Sequence, residues 1–371
     1  MDVDEPLALL GGLTPATFMR RHWQKQPLLV RGAVAAGRPP LGRAALFGLA
    51  ASDDVESRLV VRDDARWSVR HGPLPRRALP PLARPAWTLL VQGVDLHVPA
   101  AHELLRRFRF VPDARLDDLM VSYATDGGGV GPHVDSYDVF LLQVHGRRRW
   151  RIGPAADAAF VPGLPLKILA RFDATRDWLL EPGDMLYLPP GWGHDGTAVG
   201  ECMTCSIGFR APTAVELARD VLQRAAEALD DADAARYRDA RQPAAARPAE
   251  VPPALRAFAA GAVRRALAAP QRLERALGEA LTEPKPRVWF EAGAPLEPSR
   301  GVALDRRTRM MYDAVHVFVN GEAFRAGGRD ASLMRTLADE RRLEAPALAR
   351  LSAPARALVE EWAQAGWLQA L

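Results

Sequence analysis

Gly131-Pro132-His133-Val134-Asp135, followed about sixty residues later by Pro189-Pro190-Gly191-Trp192-Gly193-His194, carries the pattern from which fold and chemistry are read. His133 and Asp135 are two apart, and on an extended chain residues i and i+2 point to the same side. One strand end can therefore aim both at one ion. A third ligand must come from another strand, and His194 sits just after a strand candidate, Asp184-Met185-Leu186-Tyr187-Leu188. Two imidazoles and one carboxylate are the facial ligand set of non-haem Fe(II), which keeps positions open for a co-substrate and oxygen. Structural zinc closes its shell with four protein ligands, so three ligands favour oxidation chemistry. The other histidines, His22, His71, His97, His102, His145 and His316, lack such company and read as surface or packing residues.

The flanking sequence reads as strands. Asp117 to Tyr123 is one candidate, and the glycines Gly127, Gly128, Gly129 and Gly131 then lead into the His-x-Asp pair. No Gly-Lys-Ser/Thr follows, which argues against a phosphate loop; glycines beside a ligand allow close backbone approach. Tyr137 to Val144 is an apolar run suited to a buried strand, His145-Gly146 is expected to turn the chain, and Arg147 to Ile152 to return it. On that return strand Arg148, Trp150 and Ile152 share one face, Arg147, Arg149 and Arg151 the other. The face with Trp and Ile is the buried one, so Arg148 points into the barrel. A buried arginine needs an anion. A dicarboxylate co-substrate supplies one through bidentate hydrogen bonds; the alternative is an internal ion pair with Asp138 or Asp184. Glu181 to Asp184 reads as a turn, and Glu201 to Phe209 as a further strand. Many short strands with turn signals suggest a barrel or jelly roll. At the N-terminus, Thr14 is placed to cap a helix through Phe18, Met19 and Trp23, and Gln26 to Gly32 ends it and starts a strand.

After Arg210 the character changes. Ala-, Arg- and Glu-rich segments of helical period run from Thr213 to about Leu281, with an apolar stripe of Val215, Leu217, Ala218, Val221, Leu222 and Ala225 and a Pro/Ala-rich break from Gln242 to Pro253. This is expected to be a packing or dimerisation region. Val288-Trp289-Phe290 reads as a short strand. Asp313 to Val319, Asn320-Gly321 and Glu322 to Arg325 read as a hairpin with a type I′ turn. Ser332 to Arg342 and Ala353 to Gln364 read as helices. Helices with a small hairpin suggest a winged helix, whose balanced charges give no nucleic-acid footprint.

The 371 residues, 48% hydrophobic and 25% charged, describe a globular protein of two or three domains. The net charge is +4, carried almost wholly by arginine, since Lys25, Lys167 and Lys285 are the lysines. A mild basic excess is compatible with RNA-rich partners. No apolar run reaches membrane-spanning length. The start, Met1-Asp2-Val3-Asp4-Glu5, lacks the basic character of a signal peptide, so a cytoplasmic location is expected. Cys202 and Cys205 have C-x-x-C spacing. On a strand, however, residues three apart face opposite ways, so two packed thiols are expected.

These residues carry a family resemblance. Gly-x-Gly-Pro-His133-x-Asp135-x-Tyr137-Asp138-Val139-Phe140, Gly146-Arg147-Arg148-Arg149-Trp150, Glu181-Pro182-Gly183-Asp184-x-Leu186-Tyr187-x-Pro189-Pro190-Gly191 and Ser206-x-Gly208-Phe209-Arg210-Ala211-Pro212 resemble the JmjC-type ribosomal oxygenases. The resemblance is to the bacterial branch, which hydroxylates an arginine of the sixteenth large-subunit ribosomal protein. It is dense from about Leu119 to Thr213, with an N-terminal echo from Phe18 to Gly32. It implies an α+β chain: a double-stranded β-helix (a jelly-roll, cupin-like JmjC barrel) over residues 1–212, a helical dimerisation region over 213–283, and a winged-helix domain over 284–371. It implies Fe(II) on His133, Asp135 and His194, and 2-oxoglutarate as co-substrate with Arg148 at its distal carboxylate. In the nuclear eukaryotic relatives a lysine fills that last role. Ser122 is a second candidate for the same carboxylate. Thr204 stands where relatives often carry Asn, which puts co-substrate contacts from its strand in question. Tyr137 and Asp138 are offered as substrate-side groups, an aromatic face and a carboxylate suiting an arginine; their alternative is barrel packing and a turn hydrogen bond. The implied partners are a large-subunit ribosomal protein as substrate and a second copy of the chain; direct nucleic-acid binding is not expected. Two rival functions stay open: demethylation of methylated lysine or arginine, and a non-catalytic metal-binding barrel acting as a ribosome- or DNA-binding module.

Overall fold

A computed structural model describes residues 2–35, 39–64, 66–155, 158–229, 235–268, 270–297 and 299–371. Met1 of the acidic N-terminus, and residues 230–234 and 269 of the helical region, lie outside the described residues. The chain divides into two compact units, Met1–Ala211 and Pro212–Leu371.

The first unit opens with α1 (Pro15–Arg21), whose N-cap Thr14 accepts the Thr17 amide at 3.1 Å with Pro15 at the first helical position. The helix is shorter than expected. Trp23 lies past its end, stacked on Tyr187 and edge-on to Phe209. Then come β1 (Leu28–Val30), α2 (Arg43–Ala50), β2 (Ser57–Asp63), β3 (Arg66–His71), β4 (Trp87–Val91), α3 (Val94–His97), α4 (Pro99–Arg106), β5 (Leu116–Ala124), β6 (His133–Val134), β7 (Val139–Pro154), β8 (Arg176–Leu180), β9 (Met185–Leu188) and β10 (Trp192–Phe209). The strands join in the order β1-β9-β7-β10-β5-β4-β2-β3, with β6 on β10 and β8 on β7. All these pairings are antiparallel. Antiparallel strands wrapped in this way form the jelly-roll barrel. Phe18, Phe108, Phe140, Tyr187 and Phe209 lie at or near zero exposure in its core; burying each such ring stabilises the fold by roughly 2 kcal/mol.

One expected turn is absent. His145-Gly146 does not reverse the chain, and β7 runs straight through it. The half before Gly146 pairs with β9 and the half after it with β8, while β10 pairs with both. The register against β10 slips between Val199 and Met203, which is a bulge. Gly146 at φ 61° supplies the left-handed backbone at this bulge.

In the second unit α5 (Ala214–Glu227) begins with a capping box between Thr213 and Glu216. It is followed by α6 (Pro253–Leu267) and α7 (Pro270–Thr282). Next are β11 (Val302–Leu304), β12 (Met310–Tyr312), β13 (His316–Val319), β14 (Glu322–Arg325), α8 (Gly328–Glu340), β15 (Arg342–Leu343), α9 (Ala345–Leu348), α10 (Ala353–Gln364) and β16 (Leu368–Ala370). The β13–β14 hairpin turns on Asn320 (φ 49°) and Gly321 (φ 89°), both left-handed as a type I′ turn requires. The expected strand at Val288–Phe290 does not form. Arg287 sits at φ 66° and breaks the extended run, and Phe290 packs on Trp367 and beneath the Arg307 guanidinium instead of joining a ladder.

Candidate active site

His133 lies on β6 and His194 is the third residue of β10, on the strand itself rather than in the loop after β9. The two are direct cross-strand partners, and their ring centroids are 4.1 Å apart. Asp135, two residues on from His133, brings Oδ2 to 3.6 Å from His194 Nε2. One ligand atom from each of the three lies within 4.8 Å of the others. His133 Nδ1 is 2.9 Å from the Gly131 carbonyl and His194 Nδ1 is 3.0 Å from the Trp192 carbonyl. A carbonyl only accepts, so Nδ1–H is the donor in both rings and each Nε2 keeps its lone pair. Backbone carbonyls that fix the tautomer in this way are the usual outer partners of metal-binding histidines. Burial, then the charge of His133, pushes the pKa of His194 down to about 4, against the raising effect of Asp135. His194 is therefore neutral at physiological pH, as a ligand must be.

The three side chains open into a cavity of about 550 Å³ that is also lined by Ser122, Arg148 and Trp150. Arg148 is buried. Nη1 donates to Ser122 Oγ at 2.9 Å and Thr204 Oγ1 at 3.2 Å. Its guanidinium lies over the Trp150 ring, centroid 5.3 Å, and Trp150 in turn packs 5.8 Å from His194. Gly196, opposite Trp150 on β10, leaves room for that ring; a Cβ there would meet it at 2.6 Å. The internal ion pair weighed for Arg148 is not made. Asp184 pairs with Arg31 and Asp138 with Arg115. Arg148 Nε and Trp150 Nε1 are buried without a protein partner. Two orphan donors beside a cation, with hydroxyls at hand, are a receptor for an anion rather than a packed core.

Asp138 does not reach this cavity. Its carboxylate has no exposure, accepts from Tyr187 Oη at 2.7 Å and Gln24 Nε2 at 3.1 Å, and pairs with Arg115. The substrate-side role offered for it is corrected to a core tie between β9, the N-terminal segment and Arg115. The physical reason is the bend between β6 and β7: no strand runs through residues 135–138, and it turns Asp138 into the core while Asp135, Tyr137 and Val139 line the cavity. Tyr137 does line it, and burial, then the charges of Asp135 and Asp118, raises its phenol pKa. Sequence reasoning missed the wall contributed by β2, β4 and β5, which brings Arg58, Thr88, Asp117 and Asp118 to the same cavity. It also missed Gln143, whose carbonyl amide oxygen accepts the Thr204 hydroxyl. Cys202 and Cys205 are buried on β10, and burial raises both thiol pKa values, that of Cys205 to about 12. Among the described residues the group able to hold a metal is the His133, Asp135, His194 set.

A JmjC domain model matches residues 103–217, and a ROXA-like winged helix model matches residues 264–369. A crystal structure of Escherichia coli ycfD superimposes with a TM-score of 0.84 at 31% identity, covering 97% of this chain and 98% of that one. The chain belongs to the JmjC-type ribosomal oxygenases. A second structure of that Escherichia coli ribosomal oxygenase, in complex with cobalt and 2-oxoglutarate, matches with a TM-score of 0.81 at 30% identity over 96% of this chain and 98% of that one. The ribosomal protein uL16 3-hydroxylase of Escherichia coli K12 is 43% identical over 242 residues, 64% of this chain. This JmjC-type oxygenase thus spans 62% of the length of that curated relative. The winged-helix match begins at 264 and so takes in α7, which packs on the hairpin. Thr282 Oγ1 accepts the Gly321 amide at 3.2 Å, and Gly278 has no Cβ where one would strike Phe318.

Proposed function

We propose that this chain is an Fe(II)- and 2-oxoglutarate-dependent oxygenase that hydroxylates an arginine side chain of a large-subunit ribosomal protein. The observation that carries this reading is the convergence of the His133–Asp135–His194 set and the partner-seeking Arg148 on one cavity. When bound, iron and 2-oxoglutarate together supply oxygen activation, with decarboxylation to succinate and insertion of one oxygen atom into a C–H bond. His133, Asp135 and His194 are the residues that would hold the metal. Arg148 and Ser122 hold the distal carboxylate, and Trp150 walls that end against water. Asp117 and Asp118 on β5 bring carboxylates to the cavity wall, groups that suit a guanidinium, beside the basic Arg58 and Lys167. Tyr137 adds an aromatic face at the mouth. No protein base is required for removal of an unactivated hydrogen, which agrees with a cavity whose one histidine pair is committed to the metal.

A non-catalytic metal-binding barrel has no use for a buried anion receptor, and Arg148 weighs against it. Demethylation of a methylated arginine or lysine would use the same residues and is separated by its product. The remaining parts of the reading are a division of labour among catalytic barrel, helical dimerisation region and winged helix, with homodimers formed through the helices. They also include a cytoplasmic location and no direct contact with nucleic acid. Among the described residues no helix is long and apolar enough to cross a membrane. The test is aerobic incubation with Fe(II), 2-oxoglutarate and ribosomal proteins, followed by mass spectrometry. One added oxygen on an arginine, absent with Asp135→Ala, is the expected result. Release of formaldehyde with loss of a methyl group would replace hydroxylation by demethylation, and no consumption of 2-oxoglutarate would overturn the reading.

A further inference from the structure

We infer, on the reading of this chain as 2-oxoglutarate-dependent, that Gln143 and Thr204 are positioning residues: a hydrogen-bonded relay behind the cavity wall that fixes the Arg148 guanidinium for the co-substrate. Gln143 lies on β7 with its side chain fully enclosed, and Thr204 lies opposite it on β10. Neither lines the cavity, whereas Arg148 and Ser122 do.

The relay has one polarity at every link. An amide has a donor end and an acceptor end, and its surroundings decide which is which. Gln143 Nε2 faces two backbone carbonyls, His145 O at 2.8 Å and Gly146 O at 3.2 Å. Carbonyls only accept, so both N–H groups are spent there. Both belong to the bulge, where the ladder to β10 is interrupted. The acceptor end, Oε1, must then face Thr204, and it takes the hydroxyl proton at 2.8 Å. With its proton committed, Thr204 Oγ1 can only accept, and it accepts from Arg148 Nη1. The bulge in the backbone is in this way transmitted through two side chains to the guanidinium.

Ser122 stands differently. It accepts from Arg148, but its own proton has only the Thr204 carbonyl at 3.5 Å, at the limit of a hydrogen bond. That proton is free to turn to a carboxylate. Ser122 and Arg148 therefore touch the co-substrate, while Gln143 and Thr204 act through Arg148. Without the relay the guanidinium keeps its charge and loses one of the two hydroxyls that hold its plane. A bidentate contact depends on that plane.

The test uses the full chain loaded with Mn(II) without oxygen and titrated with 2-oxoglutarate by calorimetry. Removing a hydrogen bond to a charged group should weaken binding roughly tenfold in Thr204→Val and in Gln143→Leu. Thr204→Ser, which keeps the hydroxyl, should stay within about twofold of wild type. The double variant should bind no more weakly than the weaker single one, because both break one chain. Mn(II) affinity should be unchanged in all four. Wild-type affinity in Thr204→Val, additive losses in the double variant, or failure of Thr204→Ser to restore binding would each overturn the relay. If the Mn(II)-loaded wild type takes up no 2-oxoglutarate, the oxygenase reading itself fails and the relay falls with it. If wild type and Thr204→Val bind alike, only the relay falls.

Discussion

At His133 and His194 the carbonyl behind each ring decides which nitrogen meets a metal, and burial decides whether it is available. The imidazole of an unfolded chain titrates near 6.5, whereas burial, then His133, holds folded His194 down at about 4. The folded apoprotein therefore takes up this proton later than the unfolded chain as the pH falls. Its contribution to stability is complete above pH 6.5 and is lost as the pH falls from there toward 4. The denaturation midpoint of metal-free wild type should drop across that window more steeply than that of His194→Gln; parallel curves would contradict it. Asp138 belongs to the same scale. Breaking its contacts leaves the buried Tyr187 hydroxyl without its acceptor and Arg115 without its counter-charge, so Asp138→Ala should lose roughly 2 kcal/mol in urea unfolding. The KM for 2-oxoglutarate should not move. A stable variant with weakened substrate binding would instead restore the substrate-side role. The contrast shows what residue-level reading reaches. The convergence of His133, Asp135 and His194 was legible because metal chemistry limits the residue types and period two sets the direction of the first two. No strand period runs through the bend from Asp135 to Asp138, so adjacency to the site was no guide to where the Asp138 side chain goes. Ser122 and Thr204 were singled out only through the resemblance, and Gln143 gave no signal, being an ordinary polar residue whose meaning comes from Thr204 on the neighbouring strand.

Elements show where a local signal serves two structures. A glycine with positive φ ends a strand in a hairpin and bends one in a bulge, and His145-Gly146 reads the same in either case. The choice is made by β10, about fifty residues on, which pairs with both halves of β7 and so keeps them in line. At Gly146 a side chain would have to adopt φ 61° and would collide with the Glu201 carbonyl oxygen. Gly146→Ala should therefore lose at least about 2 kcal/mol of stability in chemical denaturation. It should also weaken 2-oxoglutarate binding, since a shift of the Gly146 backbone moves its own carbonyl, which accepts from Gln143 Nε2. Loss of stability with unchanged affinity would separate the bulge from the relay. The β2–β4 wall escaped a reading centred on the ligands because Arg58, Thr88 and Leu90 alternate on short strands without a chemical signature. The hairpin at Asn320-Gly321 was legible for the opposite reason: two consecutive left-handed residues are demanded by one turn type and supplied by two residue types.

For the whole molecule, the order of barrel, helices and winged helix follows from changes in hydrophobic period along the chain. The joining of α7 to the winged helix does not, because it depends on Gly278 and Thr282 meeting a hairpin that lies later in the sequence. The helical stripe has a consequence at this scale. Val215 and Leu222 are seven residues apart on α5, and their exposures are 65% and 48% although α5 packs on α7. Apolar residues at heptad spacing form one seam, and a seam left in water is the mark of a helix that meets another chain. A second copy of the same stripe is the partner that the proposed homodimer supplies, related by a two-fold so that each Leu222 lies in the interface twice over. A charge there must be desolvated in both copies. Val215→Glu with Leu222→Glu should therefore convert the protein to a monomer at micromolar concentration, measured by light scattering after size-exclusion chromatography. Binding of 2-oxoglutarate per chain should persist, since the groups proposed to contact it, Arg148 and Ser122, belong to the barrel. A monomeric wild type, or a variant that still elutes at twice the chain mass, would remove the stripe from the interface.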